Sequence, residues 1–262
     1  MDLVRDTPQV RGKIDRKVAA RISSVGLRLS GFGPGRFSVI TDSTRELTAE
    51  QFARLDAATV AVIYLVRHGE SEWNLAQRTQ GQTPHPRLTE HGRAQARAAV
   101  RALRDDIRNT PVSCVVSSDL VRAVQTAEII AAALGARMYV DARLREQSLG
   151  TFEGLSYAES FAAGSAFDWS DPDLRVGGGE SLREMSRRMT TAVCDFSDAS
   201  PTTGGATVVV SHGDAIRALL AARMGAVPGD GTWVDVPNGS VAVLDVPNGA
   251  RWLAVDPLVN GR

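Results

Sequence analysis

Val60-Ala-Val-Ile-Tyr-Leu-Val-Arg67-His68-Gly69-Glu70-Ser71-Glu-Trp-Asn74 is the stretch on which the fold turns. An unbroken apolar, largely β-branched run of strand length leads straight into Arg, His and Gly. Such a run marks a strand buried on both faces, as in a parallel sheet covered by helices. His68 then stands at the carboxyl end of that strand, where open α/β sheets bind their ligands, and Arg67 is expected to face the same site. Gly69 is expected to let the backbone approach a ligand closely. A helix beginning near Ser71 would turn its positive end towards an anion, for which phosphate is the natural candidate.

A second segment repeats the arrangement: Ala206-Thr-Val-Val-Val-Ser211-His212-Gly213-Asp214 is again an apolar run ending in His and Gly before a helix. Two strands each delivering an imidazole argue for a site where one alone would not. Further strands are predicted over Val112–Val116 and Ala136–Val140. Helices are predicted from Thr89, a capping residue, to Leu103; over Ala123–Leu134, closed by Gly135; over Glu180–Phe196; and over Ala215–Met224. The alternation predicts a three-layer α/β/α fold with a mostly parallel central sheet. Ser240–Val246 and Ala250–Val255 flank Pro247-Asn248-Gly249, the signal of an antiparallel hairpin added at one sheet edge. Pro237-Asn238-Gly239 reads as a second turn.

The 262 residues carry 30 basic and 30 acidic side chains, so no global charge draws the chain to nucleic acid or to an anionic membrane. Any anion binding must be local. Two cysteines, Cys114 and Cys194, give neither a disulfide framework nor metal-ligand spacing. His85 and His91 lack a third ligand, so no metal is expected. The longest apolar run, Ala57–Val66, is too short to span a bilayer, and no secretory signal is visible, which points to the cytoplasm.

Residues 1–57 differ in character: Arg11, Lys13, Arg16, Lys17, Arg21 and Arg28 are scattered without aromatics, Gly31–Gly35 breaks any helix, and Thr48–Leu55 suits a short one. They read as a poorly ordered extension, or as leader sequence added by a misplaced start codon, rather than as a nucleic-acid arm. The catalytic domain is expected over 58–262.

Taken with Ser117-Ser118-Asp119-Leu-Val-Arg122-Ala, Leu144-Arg145-Glu146, Gly178-Gly179-Glu180-Ser181 and Ser211-His212-Gly213, the Arg67-His68-Gly69-Glu70-Ser71 segment resembles the histidine phosphatase superfamily, which includes the cofactor-dependent phosphoglycerate mutases. The motifs run in family order from about Val60 to the C-terminus and leave the extension uncovered. The resemblance implies His68 as nucleophile, forming a phosphohistidine. It implies Arg67, Arg122 and His212 around the phosphoryl oxygens, with Asn74 as an added neutral donor. It implies Glu146 as the acid that protonates the leaving alkoxide and then as the base that activates water. Phosphoryl transfer asks mainly for positioning and preorganised positive donors, which this set supplies without a metal or other cofactor.

Two departures bear on activity. The loop Gly81-Gln82-Thr83-Pro84-His85-Pro86-Arg87 lacks the usual Asp and is stiffened by prolines, so His85 or Arg87 either meets substrate or is loop variation. Glu146 is followed by Gln147-Ser148-Leu149-Gly150, a form that looks like the phosphatase branch rather than the mutases. The lid expected over about 152–180 holds only one basic residue, Arg175, with Phe161, Phe167 and Trp169 either meeting an organic substrate or packing the lid down. Gly177-Gly178-Gly179 lacks the Lys of a nucleotide loop and reads as a flexible hinge. The expected function is a metal-independent phosphatase for a small phosphomonoester. A mutase and a silent phosphate-binding scaffold are the alternatives, and an isologous homodimer is a possible assembly.

Overall fold

A computed structural model of the chain describes residues 28–31, 37–40, 62–108, 110–203, 205–223, 235–245 and 249–255. The chain divides into two units between Thr59 and Val60. In the first, β1 (Arg28–Gly31) and β2 (Phe37–Ile40) pair antiparallel, with Arg28 opposite Ile40 and Gly31 opposite Phe37. The glycine-rich stretch between them had signalled a break but not the strands it separates. The helix expected over Thr48–Leu55 lies outside the described residues.

The second unit is built on a six-stranded sheet. In chain order its elements are β3 (Val62–Arg67), α1 (Glu72–Leu75), α2 (Glu90–Ile107), β4 (Val112–Ser117), α3 (Val121–Leu134), β5 (Arg137–Val140), α4 (Tyr157–Ala163), α5 (Leu182–Thr203), β6 (Ala206–Ser211), α6 (Gly213–Arg223), β7 (Val241–Asp245) and β8 (Gly249–Trp252). The strand order is β5-β4-β6-β3-β7-β8. The first four are mutually parallel, and β7 and β8 run antiparallel to their neighbours, as the C-terminal hairpin required. Gly249 already pairs with Asp245, so the hairpin closes one residue earlier than the Asn248-Gly249 signal suggested.

The period-two alternation of a strand explains the layers. On one face Ile63, Leu65, Val209 and Leu244 pack against Met185, Met189, Ile216 and Leu219 of α5 and α6. On the other, Tyr64, Val66, Val208 and Val210 pack against Val100, Leu103, Ala127 and Ile130 of α2 and α3. Both faces are covered, which is why β3 and β6 read as continuous apolar runs. Thr89 caps α2 through a 3.0 Å bond from the Gly92 N–H, and Gly135 ends α3 in the left-handed conformation at φ 64°.

Parallel pairing sets the site. Arg67 lies opposite Ser211, so the next residue of each strand, His68 and His212, leaves the sheet at the same edge. The His68 N–H donates to the Ser211 carbonyl at 3.0 Å, extending the ladder by one bond.

Two glycine expectations are corrected. A Cβ on Gly69 would lie 2.1 Å from the Gly92 carbonyl oxygen, and one on Gly92 would lie 2.0 Å from that of Glu70. Gly69 therefore serves close packing of the strand tip on α2, not approach to a ligand. Gly177 and Gly178 have φ of 59° and 75°, and Gly177 and Gly179 lie against the backbone of Ser148–Thr151. The Glu180 N–H is bonded to the Ser148 carbonyl at 2.8 Å. The triplet is a packed turn that only glycine fits, not a slack hinge.

Candidate active site

The two imidazoles meet edge to face, their ring centroids 5.1 Å apart. Both are buried, His68 at 2% exposure and His212 at 0%. His68 Nδ1 lies 2.7 Å from the carbonyl oxygen of Gly69. A carbonyl only accepts, so Nδ1 carries the proton and Nε2 holds the free lone pair. Burial lowers the His68 pKa well below its ordinary value, and the Arg122 and Arg67 guanidinium groups push it the same way. The ring is neutral and nucleophilic.

His212 Nε2 is 2.9 Å from the Ser118 hydroxyl, which itself accepts the Leu120 N–H at 3.3 Å. The other ring nitrogen, Nδ1, is buried without a partner. Burial, then Arg122, His68 and Arg67, hold the His212 pKa well down.

The guanidinium groups show the same pattern. Arg67 donates to the Val236 carbonyl at 2.6 Å, and Arg122 donates to those of Thr83 and Gly81 at 2.9 and 2.7 Å. The Nε of each is buried and unpartnered. Arg122, the second residue of α3, is 1% exposed. Burial lowers the pKa of both, that of Arg122 to about 10, and the Glu146 carboxylate opposes the fall in each case. Buried donors seldom go unpaired in a native protein. Here the Nε groups of Arg67 and Arg122 and Nδ1 of His212 are polar atoms left without a partner.

Glu146 is half-buried. Its carboxylate accepts the main-chain N–H groups of Gln147 at 3.0 Å, Asp214 at 3.2 Å and Ala215 at 3.0 Å. The last two are the first turn of α6, so the carboxylate rests on that helix N-terminus. Burial still raises the Glu146 pKa, and the Asp214 charge adds to the rise.

Asn74 is held through its side-chain oxygen. Its Oδ1 accepts the N–H and hydroxyl of Ser71 at 3.1 and 3.0 Å, closing a capping box on α1, and accepts from Asn238 Nδ2 at 3.3 Å. Asn238 also donates to the His68 carbonyl at 3.1 Å. The turn at Pro237–Gly239 thus braces the His68 segment, a part its sequence did not signal. The Ser211 hydroxyl ties β6 to the Leu144 carbonyl at 2.8 Å, fixing the Glu146 loop to the His212 strand.

His85 is exposed and meets the Trp73 ring edge-on at 5.3 Å, and Arg87 is exposed with its N–H on Glu72 at 3.1 Å. Among the lid aromatics, Phe167 stacks on the buried Phe152 at 5.7 Å and on Trp169 at 5.6 Å, which is packing, while Phe161 is 81% exposed. Arg175 is engaged by Glu184 and the Gly179 carbonyl. Among the described residues no group of three or more His, Cys, Asp or Glu is placed to hold a metal, and no helix is long and apolar enough to cross a membrane.

The fold and this constellation define a phosphoryl-transfer protein of the histidine phosphatase class. Residues 63–255 match the model of the histidine phosphatase superfamily, branch 1, and the chain belongs to that family. Its members are phosphatases or mutases that work through a phosphohistidine. The probable phosphoglycerate mutase GpmB of Klebsiella pneumoniae is 36% identical over 198 residues, covering 73% of this chain and 87% of that protein. Among solved structures, mycobacterial glucosyl-3-phosphoglycerate phosphatase with VO3 is 32% identical with a TM-score of 0.64, covering 75% of this chain and 98% of that one. The same enzyme with inorganic phosphate is 32% identical at a TM-score of 0.61, covering 74% and 96%. YhfR of Bacillus stearothermophilus is 30% identical at 0.63, covering 75% and 96%.

Proposed function

We propose that this chain is a metal-independent phosphatase that hydrolyses a small phosphomonoester through a phosphohistidine on His68. The observation that carries the reading is the His68 ring, fixed by its 2.7 Å bond to the Gly69 carbonyl so that Nε2 keeps a free lone pair, with the His212 ring centroid 5.1 Å from its own and the charges of Arg122 and Arg67 acting on it. Inorganic phosphate bound to the related mycobacterial phosphatase is the ligand those groups suit.

The Nε2 lone pair attacks phosphorus, the bond from phosphorus to the ester oxygen breaks, and the Glu146 carboxyl gives its proton to the departing alkoxide. Arg67, Arg122 and His212 hold the equatorial oxygens as charge moves onto them. Glu146, now a carboxylate, takes a proton from water while the water oxygen attacks phosphorus. The nitrogen–phosphorus bond breaks, and phosphate and neutral His68 are regenerated. Burial supports the two roles of Glu146, since it raises the carboxyl pKa and so favours the proton-bearing form that an acid needs.

Hydrolysis is favoured over mutase chemistry by the lid. A mutase must hold a second phosphate, and the one basic lid residue, Arg175, is already engaged by Glu184. The mutase reading rests on the names of the curated relatives. The purified chain, given an aryl phosphate in the presence of chelator, should release free phosphate, and His68→Ala should release none. Equal release by both proteins overturns the reading. Phosphate moved between the hydroxyls of a phosphoglycerate, with none set free, would establish the mutase instead.

A further inference from the structure

The Glu146 side chain is held by α6, but its main chain is held from the opposite side by a residue no motif marks. Arg188 lies on α5, on the stripe that also presents Met185, Met189 and Ala192 to the core. Its Nη1 donates to the carbonyls of Arg143 at 2.8 Å and Arg145 at 2.6 Å, and its Nη2 to that of Glu146 at 2.7 Å. Its Nε and Nη2 form a two-pronged pair with Glu180, both bonds 2.7 Å. The pair is largely buried, with side-chain exposures of 19% and 16%. The Glu146 carbonyl takes a second bond, at 3.0 Å, from Gln82 Nε2.

We propose that Arg188, anchored by Glu180, is the positioning residue that sets the reach of the Glu146 carboxyl towards the leaving-group oxygen. This rests on the reading of Glu146 as the proton donor. The loop from Arg143 to Glu146 has no regular structure beyond one turn of 3-10 helix, so nothing in its own backbone fixes Glu146 to the fraction of an ångström that proton transfer requires. A planar guanidinium with several donors gathers three carbonyls at once. An ammonium in its place reaches one of them. The Glu180 carboxylate fixes the guanidinium plane, and its own segment is fixed by the Gln147 amide on the Glu180 carbonyl at 2.7 Å. The acid is therefore clamped on both sides, its carboxylate by helix N–H groups and its peptide by Arg188.

The signature of a misplaced proton donor is selectivity between leaving groups. An aryl phosphate expels a stable phenolate with little help, whereas glycerol phosphate expels an alkoxide that must be protonated. In the full chain, Arg188→Lys should lower kcat for glycerol phosphate by at least about tenfold and that for the aryl phosphate by no more than about threefold, with KM little changed. Gln82→Met, which removes the uncharged second donor, should show the same selectivity on a smaller scale, about threefold, and stands in should Arg188→Lys fail to fold.

Glu146→Gln run in parallel separates the two levels. If Glu146→Gln is selective and the folded Arg188→Lys is not, or loses both activities equally, the positioning role is overturned while the proton donor stands. If Arg188→Lys does not fold, an unselective Gln82→Met overturns it in the same way. If Glu146→Gln is itself unselective, the proton-donor reading falls and the positioning role with it.

Discussion

Glu146 Oε1 accepts the N–H of Ala215 at 3.0 Å, so the half-buried carboxylate sits on the first turn of the helix that begins just after His212. One peptide segment thereby carries the His212 imidazole and gives two N–H groups to the Glu146 carboxylate. Distance between the two functions is fixed by covalent geometry and by a helix, the stiffest elements available.

That seat sets the pH profile. Burial, and after it the Asp214 charge, raise the Glu146 pKa, so kcat/KM should fall on the alkaline side as the carboxyl loses its proton. Asp214→Asn removes the second cause, lowers that pKa and moves the alkaline limb to lower pH. On the acid side the His68 pKa lies well below 6.5, so kcat/KM should not drop as pH passes through that value. Steady-state rates with an aryl phosphate across pH check both limbs, and an alkaline limb unmoved by Asp214→Asn would contradict the assignment.

Arg122 should not tolerate lysine. Lysine cannot hold the Gly81 and Thr83 carbonyls and still offer a planar donor to phosphate. Arg122→Lys should lower kcat/KM by about a hundredfold, the usual cost of losing one preorganised transition-state donor. Far-UV circular dichroism separates this from unfolding, and a kinetic constant within a few-fold of the parent would place Arg122 outside the phosphate site.

Gly69→Ala tests the close approach of β3 to α2. Its Cβ would meet the Gly92 carbonyl oxygen at 2.1 Å, against backbone that cannot rotate away. Urea unfolding should show a loss of about 2 kcal/mol or more, within or above the overpacking range. Activity should fall with it, because the shift is delivered to His68. An unchanged midpoint would mean that the strand tip is freer than its packing implies.

Stability should decline in acid before the carboxylates titrate. His68 and His212 are neutral in the fold with pKa values well below 6.5, so below that pH the unfolded chain binds more protons and unfolding is favoured as pH falls. Each imidazole contributes a slope of up to about 1.4 kcal/mol per pH unit. Glu146, with its raised pKa, works in the opposite direction between its ordinary and folded values, so one carboxyl offsets part of what two imidazoles lose. The melting temperature should therefore fall between pH 6.5 and about 5, and His212→Asn should flatten that fall. A profile level in both proteins would contradict burial of neutral imidazoles.

The strand tips were legible because chemistry and periodicity coincide in them: an apolar run ending in His-Gly occurs at Val62–Gly69 and again at Ala206–Gly213, and both are where the sheet presents its edge. The hairpin at Val241–Trp252 was legible for the same reason. The braces were not. Arg188 sits in a helical stripe whose other members are Met and Ala, and only helical phase, not a motif, marks it as a charge turned inward. Asn238 reads as an ordinary turn residue, and its contacts with His68 and Asn74 span 170 and 164 residues of sequence. Gly69 misled because a glycine beside a ligand site and a glycine under a helix look alike until the partner, here Gly92, is known.

The account stands most directly on the chemical fate of His68. The chain, mixed briefly with radiolabelled phosphomonoester and quenched in alkali, should carry a base-stable, acid-labile phosphoryl group that mass spectrometry locates on His68, and Glu146→Gln should accumulate more of it with an aryl phosphate because water is no longer activated. Label on another residue, or full turnover by His68→Ala, would contradict it.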